Sequence, residues 1–326
     1  MSLNEICRSI KKYDKFLITA HTSPEGDALG SELGFYNLVR KLGKQAVIVN
    51  DDFLPAGYDF LPGAPDILRL VKGFKFFNFD CLVVLDCADL KRTGGVSRLN
   101  AAGRPVLNID HHISNQNFGD ANWVDGQASS CSEMIYRLYK RMGLPLDKDT
   151  ALVLYTGIMT DTGSFRYSNT AVSTFRAAAE LLKFGINVAM VYRRTYENIP
   201  PRDAKLLLKF LSGVKFFSSG RLAVFQIDRR LPVDKSGTDL ADHILTFGRQ
   251  IQGVEVVALF KNMPGIKPQV RVNLRSQGAV DVNKIAAFFA GGGHKTAAGC
   301  TLPGKLAPVS AKVVARICQE LKKLPL

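Results

Sequence analysis

The chain alternates short, almost continuous apolar runs with longer stretches in which apolar side chains recur at helical spacing. Runs at 15–20, 45–49, 81–85 and 105–109 are rich in Val and Ile and end on polar residues, the pattern of strands buried on both faces. Between the first two, GDALGSELGFYNLVRKLGK sets Leu29, Leu33, Tyr36 and Leu42 near a 3.6-residue period, and Gly43 stops that helix. Ser130 and Glu133 have capping-box spacing at the head of a helix that runs through Met134, Ile135 and Leu138 to Arg141 and ends before Gly143 and Pro145. Repeated strand and helix units predict the α/β class, with a doubly wound, mainly parallel sheet covered by helices on both faces. Pro200 and Pro201 in NIPPRDAK interrupt the pattern and predict a linker over 191–212 between a first domain at 1–190 and a smaller α/β domain at 213–326. In the latter, strands are expected at 221–227, 254–260 and 270–274, and helices at 239–249, 282–289 and 308–321. No internal repeat is present.

Composition agrees with a two-domain globular protein: 326 residues, 46% hydrophobic and 22% charged, which excludes a disordered chain. The formal charge of +14 is unevenly spread. Residues 1–190 hold 21 Lys+Arg and 20 Asp+Glu, whereas 191–326 hold 22 and 9. The basic excess belongs to the second half and points to an anionic partner. Apolar residues 16–20 stop at His21, too short for a secretory segment of ~7–15 residues or a membrane span of ~18 or more. The six cysteines form no CxxC pair, which predicts reduced thiols in a soluble cytoplasmic protein without a membrane partner. Phe74, Phe76, Phe77 and Phe79 are expected in the core, His243 in a helix, and Arg229-Arg230 in solvent.

In open parallel sheets ligands bind beyond the carboxyl ends of the strands, and here those positions are dense in metal-ligand chemistry. The first strand is followed by His21, Glu25 and Asp27, the third by Asp86, the fourth by Asp110, His111 and His112, and an apolar helical stretch ends in Asp161. Gathering so many acids is costly unless cations neutralise them. Mixed carboxylate and imidazole donors suit Mn²⁺ or another octahedral first-row ion, and two ions ~3.5–4 Å apart would activate water for attack at phosphorus. In the basic half, Gly291, Gly292 and Gly293 precede His294 and Lys295, and Arg275 and Ser276 end a strand. Backbone amides in glycine turns and a bidentate guanidinium both suit phosphate, while Arg271, four residues upstream on the same strand face, is a weaker candidate.

HTSPEGDALGS, VVLDCAD, NIDHH and TGIMTDTGSF resemble the four motifs of the DHH phosphoesterase superfamily, and RVNLRS with GGGHKTAAG resembles its DHHA1 domain. The chain is most similar to the bifunctional oligoribonuclease and pAp phosphatase branch. That resemblance implies one Mn²⁺ held by His21, Glu25 and Asp86, and a second held by Asp27, Asp86, His111 and Asp161, with Asp86 as the bridge; Mg²⁺ or another divalent ion could replace manganese. Glu25 stands where the family usually has aspartate. By the same resemblance Asp110 would orient His111, His112 would face the substrate phosphate, and Arg275, Ser276 and Gly291 to His294 would hold substrate. The implied reaction is hydrolysis of very short RNA and of 3′-phosphoadenosine 5′-phosphate (pAp). Alternatives are a phosphodiesterase for cyclic or linear dinucleotides, a RecJ-like exonuclease, and a non-catalytic nucleotide-binding protein. A homodimer is compatible with the sequence.

Overall fold

The computed structural model describes residues 3–74, 77–227, 240–263, 265 and 267–324, without the side chain of Arg202. Phe76, Arg229-Arg230 and the expected helix start at 239 lie outside the described residues. The chain divides into two compact units, Met1–Asn198 and Ile199–Leu326.

The first unit is built on β1 (Lys15–Thr19), β2 (Gln45–Asn50), β3 (Leu68–Arg69), β4 (Cys81–Leu85), β5 (Val106–Asp110) and β6 (Ala121–Val124), in the order β3-β2-β1-β4-β5-β6. Every pairing is parallel. Its helices are α1 (Leu3–Lys12), α2 (Gly26–Lys41), α3 (Cys131–Met142), α4 (Lys148–Asp161), α5 (Val172–Leu182) and α6 (Val188–Tyr196). The apolar runs lack polar alternation because both faces are buried: Cys81, Val83 and Leu85 join one core, while Leu82 and Val84 join another. The helices cover the first face. The other is not covered by helices of the expected kind. It is closed by Phe74, Phe77, Phe79 and the 3₁₀ turns Leu90–Thr93 and Val96–Asn100. The described phenylalanines of that stretch are core, as expected.

Chain order reverses between β1 and β4, so their carboxyl ends open a crevice at the point where the sheet winds outward in both directions. Local chemistry places the surrounding helices. The Ser130 side chain accepts the Glu133 N–H (3.0 Å), but the Glu133 carboxylate turns to the Ser129 N–H and hydroxyl instead of closing the box on Ser130. Asp147 caps α4 by accepting the Thr150 N–H (2.8 Å).

The second unit contains α7 (Pro201–Ser212), β7 (Lys215–Phe217), β8 (Leu222–Ile227), α8 (Leu240–Gln250), β9 (Val256–Met263), β10 (Gln269–Ser276), α9 (Val282–Phe288), β11 (Gly292–Gly293), β12 (Ala297–Pro303) and α10 (Leu306–Leu321). Its sheet, in the order β11-β12-β10-β9-β8-β7, is antiparallel except for β8 with β9. α9 and α10 pack on one face, where Val270, Val272 and Leu274 of β10 point. Leu207, Phe210 and Leu211 of α7 pack with α8 against Phe225, Val257 and Leu259 on the other. Much of the expected 191–212 linker is therefore helix: Pro200 is the N-cap and Pro201 the first residue of α7, a position where the missing N–H of proline costs nothing.

Glycines let α2, α3 and α4 approach closely. A Cβ on Gly157 of α4 would lie 2.0 Å from Ser132 Oγ and 3.0 Å from Asp27 Oδ1. In an open helix, glycine to alanine gains about 1 kcal/mol, but overpacking costs about 1–3 kcal/mol, and here the added Cβ would lie 2.7 Å from Ser132 Cβ, which is fixed to the α3 backbone. Gly157→Ala is expected to lower the urea midpoint of the protein; an unchanged or raised midpoint would show that the helices can part without cost.

Candidate active site

Each acid or imidazole comes from the end of an element that aims it into the β1–β4 crevice. His21 follows β1, and its Nδ1 is 2.8 Å from the Thr22 carbonyl oxygen, which leaves Nε2 toward Asp86. The loop after it bends through Ser23, whose φ of 56° is left-handed and whose N–H donates to Asp52 Oδ2 (2.7 Å). Glu25 is the N-cap residue of α2, but its side chain makes no capping bond. Asp27, buried in the first turn of α2, accepts the N–H groups of Cys131 (2.6 Å) and Ser132 (2.8 Å) at the amino end of α3. Asp86 follows β4 with a left-handed φ of 50°, held by its N–H bond to the Ile109 carbonyl (3.0 Å). Asp161 ends α4.

These groups converge. His21 Nε2 is 3.5 Å from Asp86 Oδ2, and His111 Nε2 is 3.3 Å from Asp86 Oδ1, 3.7 Å from Asp161 Oδ2 and 3.8 Å from Asp27 Oδ2. Donor atoms of His21, Glu25 and Asp86 lie within 4.8 Å of one another, as do those of Asp27, Asp86 and His111. Asp86 is common to both sets, and to a third in which it meets Asp110 and His112. The Asp161 carboxylate adjoins the second set through His111.

The electrostatics are those of acids forced together out of water. Burial and then the charge of Asp86 push Asp27 up to about 6. Burial also raises Asp161 well above the usual carboxylate range, although His111 opposes it. Asp86 goes the other way: burial disfavours its charge, but hydrogen bonds from His111 and His21 and attraction from His112 and His21 hold it well below the ordinary value. Burial opposes charge on His21 too, yet the bond and charge of Asp86 raise it to about 9. His111 is raised, since Asp161, Asp86 and Asp27 together outweigh its burial. Asp86 Oδ1 is nevertheless buried with no hydrogen bond in good geometry, despite imidazole nitrogens 3.3 and 3.6 Å away. A buried anionic oxygen held only by imidazole contacts of 3.3 and 3.6 Å fits divalent cations better than it fits a hydrogen-bonded network.

Asp110 departs from its expected role. Its Oδ1 is 2.7 Å from His112 Nδ1 and accepts the His111 backbone N–H (2.9 Å), while Asn115 Nδ2 donates to Oδ2 (2.5 Å). The imidazole it meets is therefore that of His112, because Asp110 is still in the strand and its side chain reaches two residues ahead. Sequence reading missed three supports: Asn115, the amino end of α3 behind Asp27, and Asn169, which donates to Asp161 Oδ2 (3.1 Å). Asparagines in loops carry no periodic signal that would single them out.

In the second unit Arg275 is half-buried on β10, with Nη2 3.6 Å from Asp242 Oδ1. Ser276 is a correction: it is fully buried, donates to the Val280 carbonyl (2.6 Å) and accepts the Gly278 N–H (2.9 Å), so its hydroxyl builds the turn after β10. The glycine triplet is not a free loop either. Gly292 and Gly293 form β11 beside Gly299 and Ala298 of β12, where a Cβ on Gly291 would meet the Gly299 carbonyl oxygen at 2.3 Å. Gly292 is exposed, and the turn from His294 closes by bonds between the 294 and 297 backbones (2.7 and 3.3 Å). Arg271 lies across Gly299, within 3.4 Å of Thr301 Oγ1.

The DHH family, N-terminal domain, matches residues 15–158, and the DHHA1 domain matches residues 234–324. The bifunctional oligoribonuclease and PAP phosphatase NrnA of Thermus thermophilus is 36% identical over 289 residues, 88% of this chain and 84% of that protein. The Bacillus subtilis protein of the same name is 29% identical over 303 residues, 91% and 92% of the two chains. The crystal structure of an exopolyphosphatase-related protein from Bacteroides fragilis superposes with a TM-score of 0.86 at 28% identity, covering 98% of this chain and 96% of that one. With the sheet, the shared Asp86 and both domains in place, the chain belongs to the DHH family of phosphoesterases and carries its DHHA1 domain.

Proposed function

We propose that the protein is a cytoplasmic, two-manganese phosphoesterase that hydrolyses very short RNA and pAp. The observation that carries this reading is Asp86, one buried carboxylate common to two clusters of hard donors. Two named oligoribonuclease and PAP phosphatase relatives, matched over most of both chains, support the substrate class. The six free cysteines accord with a reducing compartment, and among the described residues no helix is long and apolar enough to cross a membrane.

His21, Glu25 and Asp86 would hold one ion, and Asp27, Asp86, His111 and Asp161 the other. Bound there, the pair lowers the pKa of water and offsets charge on a phosphoryl group. The protein residues prepare this site. The α3 amides fix the Asp27 carboxylate, so its rotamer is set before an ion arrives. Asp110 holds His112 by Nδ1, which aims the imidazole for the negative charge that develops on the substrate. In the second unit we assign capture of a terminal phosphate to Arg275, exposed Gly292 and His294, with Gly291 and Gly293 shaping the backbone around them.

Three outcomes follow. Imidazole must be neutral to bind a metal, and His21, raised to about 9, carries its proton at pH 7 in the metal-free protein. Mn²⁺ binding should therefore release protons at pH 7, seen as buffer-dependent heats in calorimetric titration, and affinity should rise from pH 7 to 9; binding without proton release would remove His21 from the ligand set. Asp86→Ala and His111→Ala should each lose more activity than the about 10–100-fold typical of residues one layer behind a metal. They are compared with the parent protein on pAp, pApA, RNA of two to twenty-four nucleotides, cyclic di-AMP and pyrophosphate. Equal turnover of long and short RNA, or a preference for cyclic di-AMP, would overturn the substrate assignment, and full activity in either variant would overturn the metal assignment. Arg275→Ala should raise KM for phosphate-terminated substrates with little change in kcat; unchanged KM would take Arg275 out of the site.

A further inference from the structure

Asn169 lies in the loop between α4 and α5, eight residues beyond Asp161. Its Nδ2 donates to three oxygens: the Ser129 carbonyl (2.8 Å), the Asp161 carbonyl (3.1 Å) and Asp161 Oδ2 (3.1 Å). Two of these are backbone carbonyls that can only accept, so the amide has one permissible orientation; the flipped form would set its oxygen against both. Its own Oδ1 is buried and receives no hydrogen bond. An orphaned buried carbonyl costs free energy, so the orientation is maintained by the contacts of Nδ2.

Those contacts join two segments of the first unit. Ser129 is itself fixed, its N–H (3.1 Å) and hydroxyl (2.6 Å) both donating to Glu133 Oε2, which also accepts the Thr174 hydroxyl (3.2 Å). Arg137 pairs with Glu133 on one side and with Asp125 (2.7 Å) on the other. Glu133 is thereby anchored as a buried carboxylate at the head of α3, the helix whose first amides hold Asp27. A continuous set of bonds runs from Glu133 through Ser129 and Asn169 to the Asp161 carboxylate. Asp161 needs such a hold more than its neighbours do. It ends a helix, it is 16% exposed while the side chains of Asp27 and Asp86 are 1% and 2% exposed, and three left-handed residues, Gly163 to Phe165, follow it closely.

We infer that Asn169 is a positioning residue that holds Asp161 toward His111, so that the second cation site is formed before the ion binds. The inference rests on the assignment of Asp161 to that site. Removing such a support from a metal ligand typically costs about 10–100-fold in affinity. The role is one of aim: the amide donates to the carboxylate oxygen that faces His111.

The test is Mn²⁺ binding to the full chain, measured by calorimetry and by the loss of the free-ion electron paramagnetic resonance signal, in the parent, Asn169→Ala, Asn169→Ser and Asp161→Ala proteins. Thermal unfolding without metal shows whether each is folded, and the serine variant replaces the alanine variant if the latter is not. We expect Asn169→Ala to weaken the second equivalent of Mn²⁺ by about 10–100-fold, leave the first within a factor of about two, and regain most of kcat on pAp at high Mn²⁺. A folded Asn169 variant with parental affinity, in a series where Asp161→Ala loses the second ion, would overturn the inference alone. Parental binding by Asp161→Ala as well would overturn the ligand assignment beneath it. An Asn169 loss that high Mn²⁺ does not restore, with affinity unchanged, would mark the residue as structural and likewise overturn its positioning role.

Discussion

The carboxylates of Asp27, Asp86 and Asp161 stand around one imidazole nitrogen at the floor of the crevice, and the cost of keeping them there governs the surrounding structure. Two like charges about 4 Å apart repel by about 4 kcal/mol at an effective dielectric near 20, and a whole domain is stable by only about 5–15 kcal/mol. Three such pairs cannot all be ionised without compensation. Without a cation protons share the compensation: Asp27, Asp161, His21 and His111 are all raised, and of the three acids only Asp86 is lowered. A divalent ion performs the same neutralisation with one body in place of several protons. The arrangement is thus poised between two neutralised forms, and exchange between them is linked to pH by necessity.

Keeping the cluster assembled also requires backbone that the chain would not otherwise adopt. Ser23, Asp86, Ser164 and Phe165 are left-handed without being glycine, and all lie in segments that carry or adjoin site residues. Each such residue costs of order 1–3 kcal/mol and persists only where its surroundings overdetermine it. Here they do. Asp52 takes the Ser23 N–H, the Ile109 carbonyl takes that of Asp86, and the Ser164 and Phe165 N–H groups bond back to Met159 and Thr162 at the end of α4. The bulk of the stabilising free energy sits in the apolar faces of the parallel sheet, so the crevice can hold strain and buried charge without losing its shape.

How far the sequence could be read depended on whether a signal was local. The four inner parallel strands were legible because strands buried on both faces leave unbroken Val and Ile runs, whereas the edge strands β3 and β6 are short and leave none; the acids and imidazoles of the crevice drew notice because most of them follow the inner strands. α7 was taken for linker since two prolines look like a break, whereas a proline at the first helical position is a start. β12 escaped because AAGC has little β character; its small residues are selected by the close approach of β11. Ser276 looked like a phosphate ligand from its place at a strand end, yet the next four residues form a turn that uses its hydroxyl completely. The partner of Asp110 and the hold of Asn169 on Asp161 depend on side-chain reach between segments, which no periodicity encodes.

The charge division of the chain follows from the same physics. Residues 1–190 are almost balanced, with 21 basic and 20 acidic side chains, although they contain the densest acid cluster. A strongly positive first unit would favour ionised Asp27 and Asp161 at longer range, but it would also oppose the arrival of a divalent cation. Placing the excess of 22 basic over 9 acidic residues in 191–326 separates these demands. Attraction between exposed charges fades beyond a Debye length of about 8 Å in physiological salt, so exposed lysines and arginines attract anions only close by, while buried acids are neutralised by the groups that touch them. The acids of the crevice are therefore neutralised by their own neighbours, an imidazole proton or a cation at the His111 nitrogen, whatever the net charge of the rest of the chain.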